Sequence, residues 1–303
     1  MPQRLSGTAR RFALIALAAC STAPAYAAPG DMYVTSDASN TTRQYNGTTG
    51  AFQTVFKTAF AASGNLGIHF GATNNRVLIG HWGGGVEEFN ATTGAYIKTY
   101  NAAGGTQWAG LYAPTGGVYV GDWSTGDVRE YDSTTGAFIR VVCPVLGPAD
   151  MRIVGNRLYI ADYLGQTVKV VHAVSGAPLG GFSVPAVARP NDIALLNGEI
   201  LVTCMPNVVL RYDATTFIPL GGFNSPGWVN PHGIEISPND GNIYVVEGGA
   251  GEVHVFDPST FVELNPAWIT PPPGDKIVDL DFRPQAPTPA LQPSWGAVKR
   301  RYR

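Results

Sequence analysis

YNGTTGAF (45–52), FNATTGAY (89–96), YDSTTGAF (131–138), VHAVSGAP (171–178), YDATTFIP (212–219) and FDPSTFVE (256–263) are six renderings of one phrase: an apolar or aromatic residue, usually Asp or Asn, then a Thr/Ser-rich turn. Measured from Tyr45, Phe89, Tyr131, Val171, Tyr212 and Phe256, the steps are 44, 42, 40, 41 and 44 residues. A period of about 40–45 residues with strand-like flanks is the signature of a β-propeller with one four-stranded blade per repeat.

The third repeat sets out one unit. Leu111-Tyr112 belongs to an inner strand, Pro114 to Gly117 turns it, and Val118–Trp123, Asp127–Tyr131 and Ala137–Val142 read as the next three strands. Asn74-Asn75, Gly155-Asn156, Asn197-Gly198 and Asp240-Gly241 separate the first two strands of other units, where tight hairpins need residues that tolerate φ > 0. The repeated phrase is the turn between strands three and four. Its Asp or Asn accepts from backbone N–H groups just ahead, and Gly50, Gly94, Gly136 and Gly176 suit the left-handed position that closes the loop. The first repeat starts at Asp31-Met32-Tyr33-Val34 without an inner strand, whereas Lys276–Phe282 has an inner-strand pattern with no unit after it. The expectation is an all-β, six-bladed propeller over residues 28–283, closed by pairing of the C-terminal strand with the N-terminal blade.

Residues 1–27 read as an export leader: Arg4, Arg10 and Arg11, an apolar stretch from Phe12 to Ala19, and Ala25-Tyr26-Ala27 as a cleavage site. Eight apolar residues cannot span a bilayer, which takes about 20. A lipoprotein reading also stands, in which Leu17-Ala18-Ala19-Cys20 is a lipobox and Cys20 is lipidated. The protein is then periplasmic or extracellular, with membrane contact only through Cys20. The whole chain has 20 Lys+Arg and 22 Asp+Glu, a net of −2, and the leader holds three of those arginines and no acid. A nucleic-acid-binding face is therefore not expected. Cys143 and Cys204 fall on different repeats and strands and read as two buried free thiols. Residues 284–303 form a Pro-rich linker ending in the basic-aromatic run Trp295–Arg303.

Strand antiparallelism brings the starts of the inner strands and the ends of the second strands to one mouth of the central channel, opposite the TTG turns. Inner-strand starts give two columns, Leu66, Ala109, Ala149, Asn191, His232, Val278 and Gly67, Gly110, Asp150, Asp192, Gly233, Asp279. Second-strand ends add His81, Asp122, Asp162, Cys204 and Glu247, with Trp82, Trp123 and Tyr163 beside them. Trp108 and Trp228 are placed at the same mouth. The expected binding set is thus Trp82, Trp108, Trp123, Tyr163, Trp228, His81, Asp122, Asp162 and Glu247. The competing reading is structural: the carboxylates satisfy backbone N–H groups and the rings fill wedges between blades. His69, His172 and His254 lie within strands or on the opposite turns and receive no role.

ARPNDIALLNGEILVTC (188–204) and NPHGIEISPNDGNIYVVE (230–247) resemble the NHL-type and gluconolactonase-like six-bladed propellers, and the likeness in rhythm covers roughly residues 31–283. The gluconolactonase resemblance implies a divalent cation held at the channel mouth by Glu, Asn and Asp side chains. Asn191 matches one ligand column and His232 replaces an Asn, while Leu66, Ala109, Ala149 and Val278 occupy the others. Two ligands fall short of the six to eight oxygens Ca²⁺ takes, and His81 with His232 reaches the three protein ligands of catalytic zinc only if Asp122 or Asp192 serves as the third. No GxSxG, HExxH, CxxC or helix-leading GxGxxG occurs. The reading is an exported, monomeric, non-catalytic module that binds a protein, peptide or glycan through the channel mouth. A lactonase-like hydrolase or lyase using a divalent metal at Asn191 and His232 is the alternative, and a purely structural envelope role is a third.

Overall fold

The computed structural model describes residues 28–58, 64–101 and 106–284; the leader, Cys20 and the tail from residue 285 lie outside the described residues. Every regular element among the described residues is a strand. The first three are β1 (Met32–Ser36), β2 (Thr41–Tyr45) and β3 (Phe52–Thr58). Next come β4 (Asn65–Phe70), β5 (Arg76–His81), β6 (Gly85–Asn90) and β7 (Tyr96–Tyr100), then β8 (Gln107–Tyr112), β9 (Val118–Asp122), β10 (Asp127–Tyr131) and β11 (Phe138–Pro144). The following two groups are β12 (Pro148–Val154), β13 (Arg157–Asp162), β14 (Thr167–His172) and β15 (Pro178–Ser183), and β16 (Arg189–Leu196), β17 (Glu199–Met205), β18 (Val208–Asp213) and β19 (Pro219–Phe223). The chain closes with β20 (Pro231–Ile236), β21 (Ile243–Glu247), β22 (Glu252–Phe256), β23 (Glu263–Ile269) and β24 (Ile277–Phe282).

These strands form antiparallel sheets in a propeller-like arrangement. β12 to β15, β16 to β19 and β20 to β23 are consecutive four-stranded meanders, and β24 leads a fourth sheet in the order β24-β1-β2-β3. Its register pairs Met32 with Phe282, Val34 with Leu280 and Thr35 with Asp279. The innermost strands β4, β8, β12, β16, β20 and β24 contact one another in sequence, and β24 returns to β4, so they enclose one axis.

The sheet count departs from six separate blades. β4 to β7 and β8 to β11 are drawn into one eight-stranded sheet through a single pair, His81 with Gln107. Glycine is the physical reason: a Cβ at Gly67 would lie 2.3 Å, and one at Gly80 2.5 Å, from the Trp108 carbonyl oxygen. Without side chains at those positions the two backbones close to bonding distance.

Alternation along the strands buries one apolar row on each side of a sheet, and neighbouring sheets interlock there. Val34, Ile277 and Leu280 of the first sheet pack with Tyr244, Val246 and Val253 of the last. Each such side chain contributes roughly 1.5–3 kcal/mol when fully buried. Cys143 and Cys204 are buried free thiols in two different clusters.

The repeated turns are built as their residue types dictate. Asn46, Asn90, Asp132, Asp213 and Asp257 each accept from the N–H groups two and three residues on, and His172 does the same through Nδ1. Gly50, Gly94, Gly136 and Gly176 take φ of 71°, 67°, 75° and 74°, and in the two copies without glycine Phe217 and Phe261 take 60° and 57°. Ring contacts hold these two in place: Phe261 stacks on Phe223 at 5.3 Å with the Arg211 guanidinium 3.7 Å from its ring, and Phe217 lies 5.8 Å from Phe182.

Candidate functional site

The inner strands start at one end of the axis and bring residues from all six of them to a small well of about 20 Å³. Leu66, Trp108, Ala149, Asn191, His232 and Val278 line it, with Asp150, Asp192 and Asp279 at the next position inward. That volume holds about one water-sized group. Three polar atoms of its lining residues are buried without a hydrogen-bond partner: the acceptor Asn191 Oδ1, the donor Trp108 Nε1 and, at the inner position, Asp150 Oδ2. Asn191 itself is held by its Nδ2, which donates to Pro231 O at 2.7 Å.

Four of the five expected aromatic residues meet at this mouth. Trp108 stacks on Trp123 at 4.7 Å with 28° between planes, Trp82 meets Trp108 edge-on at 5.5 Å, and Tyr163 lies 5.4 Å from Trp123. Trp123 Nε1 donates to Pro148 O at 2.9 Å and the Tyr163 hydroxyl to Met205 Sδ at 3.1 Å, so both rings are fixed in orientation. Trp82 is 39% exposed and forms the open edge. The Arg189 guanidinium, 5.3 Å from the Tyr163 centroid, adds a cation that the sequence reading did not single out. Trp228 stands apart: it is buried against Phe256, and its Nε1 donates to His254 Nε2 at 3.2 Å, so an indole N–H that needed a partner turned into the last sheet.

The expected carboxylates serve the backbone. Asp122 accepts from Ser124 and Thr125 N–H and from Asn101 Nδ2. Asp162 accepts from Leu146, Gly147 and Gly165 N–H, and Glu247 from Val229, Asn230, Gly249 and Ala250 N–H. Each fastens the segment entering its inner strand or the turn after its second strand, which is the structural role that the sequence set beside ligand binding for these groups. His81 is likewise engaged by neighbouring side chains. It is buried, with Nε2 2.9 Å from Glu87 Oε2 and 3.0 Å from Lys57 Nζ, and burial lowers the Lys57 pKa from its ordinary value.

Below the well the axis carries a polar layer. Asp192 Oδ2 accepts the N–H of Ile234 at 2.6 Å, and Asp279 Oδ2 that of Ile68 at 2.8 Å, each carboxyl bridging to the next inner strand. Asp150 Oδ1 accepts from His69 Nε2 at 2.8 Å. Asp150 Oδ2 has no hydrogen-bond partner and faces the Arg152 guanidinium, with Nε at 3.6 Å. Burial, then repulsion among neighbouring carboxylates, raises Asp192 and Asp279 well above the usual carboxylate range. Arg152, unremarked in the sequence, is the guanidinium of this layer. It lies 2.7 Å from Glu235 Oε2, 3.6 Å from Asp150 Oδ2 and 3.7 Å from Asp192 Oδ1. Burial, reinforced by Arg152, keeps His69 neutral by lowering its pKa well below 6.5.

The metal alternative is tested by its two proposed ligands. His232 Nε2 is taken up by Asn230 Nδ2 at 2.6 Å, and burial lowers the ring's pKa to about 4. Among the described residues no three His, Cys, Asp or Glu side chains are placed to hold a metal ion. The side chains present do not fit a metal centre of the implied kind, and no catalytic step follows from them.

No protein-family model matches the chain, and no curated protein matches it either. Solved structures do. A chain in a nidogen/laminin complex is similar with a TM-score of 0.69 at 11% identity, covering 85% of this chain and 99% of that one. A protein of unknown function from Bacteroides caccae gives 0.63 at 14% identity over 84% and 98%. The WD40 β-propeller domain of Doa1 gives 0.61 at 14% identity over 83% and 82%. At these identities the likeness is one of fold, and the class it defines is the β-propeller.

Proposed function

We propose that this protein is an exported, six-bladed, NHL-type propeller that acts as a non-catalytic binding module through the mouth built on Trp82, Trp108, Trp123 and Tyr163. The blade count treats the eight-stranded sheet as two blades joined at His81 and Gln107, which the six mutually contacting inner strands support. The leader sequence supports export. The single observation carrying the binding role is the pairing of an aromatic group with an unsatisfied donor and an unsatisfied acceptor, Trp108 Nε1 and Asn191 Oδ1, in one well. An unpaired buried polar atom costs about 1–3 kcal/mol. A ligand group that both donates and accepts, such as a hydroxyl or an amide, recovers part of that cost for both atoms while the rings supply contact area. Glycan and peptide ligands carry such groups.

The test is tryptophan fluorescence of the mature protein titrated with neutral oligosaccharides and with short uncharged peptides. A saturable change with at least one of them, lost in Trp82→Ala with the melting temperature unchanged, is expected. No saturable response from either set, or unfolding of Trp82→Ala, contradicts the reading, because the rings are then packing between sheets.

A further inference from the structure

The channel has a second end. On the face of the TTG turns a cavity of about 400 Å³ opens between inner strands, lined by Phe70, Leu111, Tyr112, Ile153, Ile236 and Phe282 with the charged groups Arg152, Glu235 and Asp281, and with neutral His69. Pro284, the last described residue, stands on its rim. We infer that this cavity is the docking site of the chain's own C-terminal segment, with a guanidinium or ammonium group from Lys299–Arg303 entering against Glu235 and Asp281.

Three independent features point there. Charge is the first. Asp281 and Glu235 line the cavity and Asp150, Asp192 and Asp279 stand behind it, five carboxyl groups with Arg152 as their one guanidinium; burial favours the protonated form of Asp192, Asp279 and Asp281, and a second cation seated beside them restores the carboxylate form and its attraction. Arg283, which precedes Pro284, does not line the cavity, and its Nη2 donates to Asn75 Oδ1 and Thr92 Oγ1. Composition is the second: residues 285–303 contain Lys299, Arg300, Arg301 and Arg303, no acidic residue, and the aromatics Trp295 and Tyr302. Their mixture of cations and rings matches a cavity whose walls are aliphatic and aromatic and whose floor is acidic. Reach is the third. Fourteen residues separate the rim from Lys299, and a flexible link of that length has a root-mean-square reach of about 20 Å, enough to present the basic run at an effective concentration of about a millimolar. An interaction of only millimolar strength then keeps the cavity filled about half the time. The inference concerns the opposite end of the channel and stands apart from the role of the aromatic mouth.

A photo-crosslinking residue in place of Tyr302 in the otherwise intact mature chain tests it, with cross-links mapped by mass spectrometry at low protein concentration. Expected are intramolecular cross-links to the peptides carrying Phe70–Thr73, Tyr112, Ile153 and Pro238. Their yield should fall at least fivefold in 1 M NaCl and in the Lys299→Glu, Arg300→Glu, Arg301→Glu, Arg303→Glu variant, which alters none of the described strands and is expected to leave the melting temperature unaltered. Glu235→Gln, which keeps the size of the side chain, should lower the yield as well; if it unfolds the chain, the tail variant decides alone. Cross-links scattered over the outer strands, formed only between molecules, or indifferent to charge reversal and salt overturn the inference.

Discussion

Asp279 Oδ2 accepts the backbone N–H of Ile68 at 2.8 Å across 211 residues of sequence, tying the last inner strand to the first complete unit. Asp279 Oδ1 takes the N–H of Leu280 at 2.8 Å, so one buried side chain satisfies two buried donors. Asp279→Ala leaves both unpaired and should lower the unfolding free energy by roughly 2–4 kcal/mol. Asp279→Asn, which keeps one acceptor oxygen, should lose less. Urea unfolding of the two variants checks the order.

The pH dependence follows from the carboxyls raised above their ordinary range. Burial, reinforced by Glu235, lifts Asp281 in this way, so the native state keeps a proton that the unfolded chain releases above about pH 4. The stability that this group contributes is present at low pH and declines as pH rises toward the native value. His69 acts with the opposite sign. Its lowered native pKa makes the folded state lose stability as pH falls below about 6.5, where the unfolded imidazole takes up a proton. Thermal melts of wild type and Asp281→Asn separate the two, and the stability of wild type relative to the variant should fall steadily from pH 4 upward. A difference independent of pH contradicts the assignment.

Phe261 occupies a left-handed turn position at a cost of about 1–2 kcal/mol for a residue with a Cβ. Phe261→Gly removes the strain and also the stack on Phe223 and the Arg211 contact, worth together about 1–2.5 kcal/mol before any burial is counted. A net loss of about 1 kcal/mol is expected by chemical denaturation. Stabilisation by this change would show that the rings do not hold the turn.

Trp228 and Trp82 should behave as opposites. Trp228→Ala opens a cavity in the last sheet and should cost about 3–5 kcal/mol. Trp82→Ala removes a side chain at the open edge of the mouth and should cost under about 1 kcal/mol. Calorimetry distinguishes them directly.

The repeat was legible because its turn chemistry is short-range: an Asx side chain capping two N–H groups followed by a left-handed residue leaves its mark within one octapeptide. The same chemistry explains His172, which the sequence offered as a histidine without a role and which caps its turn as Asn does elsewhere. Pairing of β1 with β24 was legible from a missing strand at one end and a surplus one at the other. The joined eight-stranded sheet was not, because it depends on how closely the Trp108 carbonyl approaches Gly67 and Gly80, a distance no residue pattern encodes. At the mouth, the aromatic grouping followed from strand direction. For Asp122, Asp162 and Glu247 the sequence left two readings side by side, since a carboxylate at a strand end reads alike when it faces a ligand and when it faces backbone. Arg152 escaped notice for a related reason: one charge in an inner strand reads as an outward residue until the axis is seen to hold a polar layer.

Amide hydrogen exchange along β1 and β24, followed by mass spectrometry on the mature protein at neutral pH, tests most directly that one closed ring of inner strands builds the mouth. The account predicts that amides of Met32–Ser36 and Ile277–Phe282 exchange together and as slowly as those of β12 and β16. Rapid exchange in Ile277–Phe282 while β12 and β16 stay protected would contradict it, because the ring would then be open at that seam and Trp108, Asn191, His232 and Asp279 would not share one well.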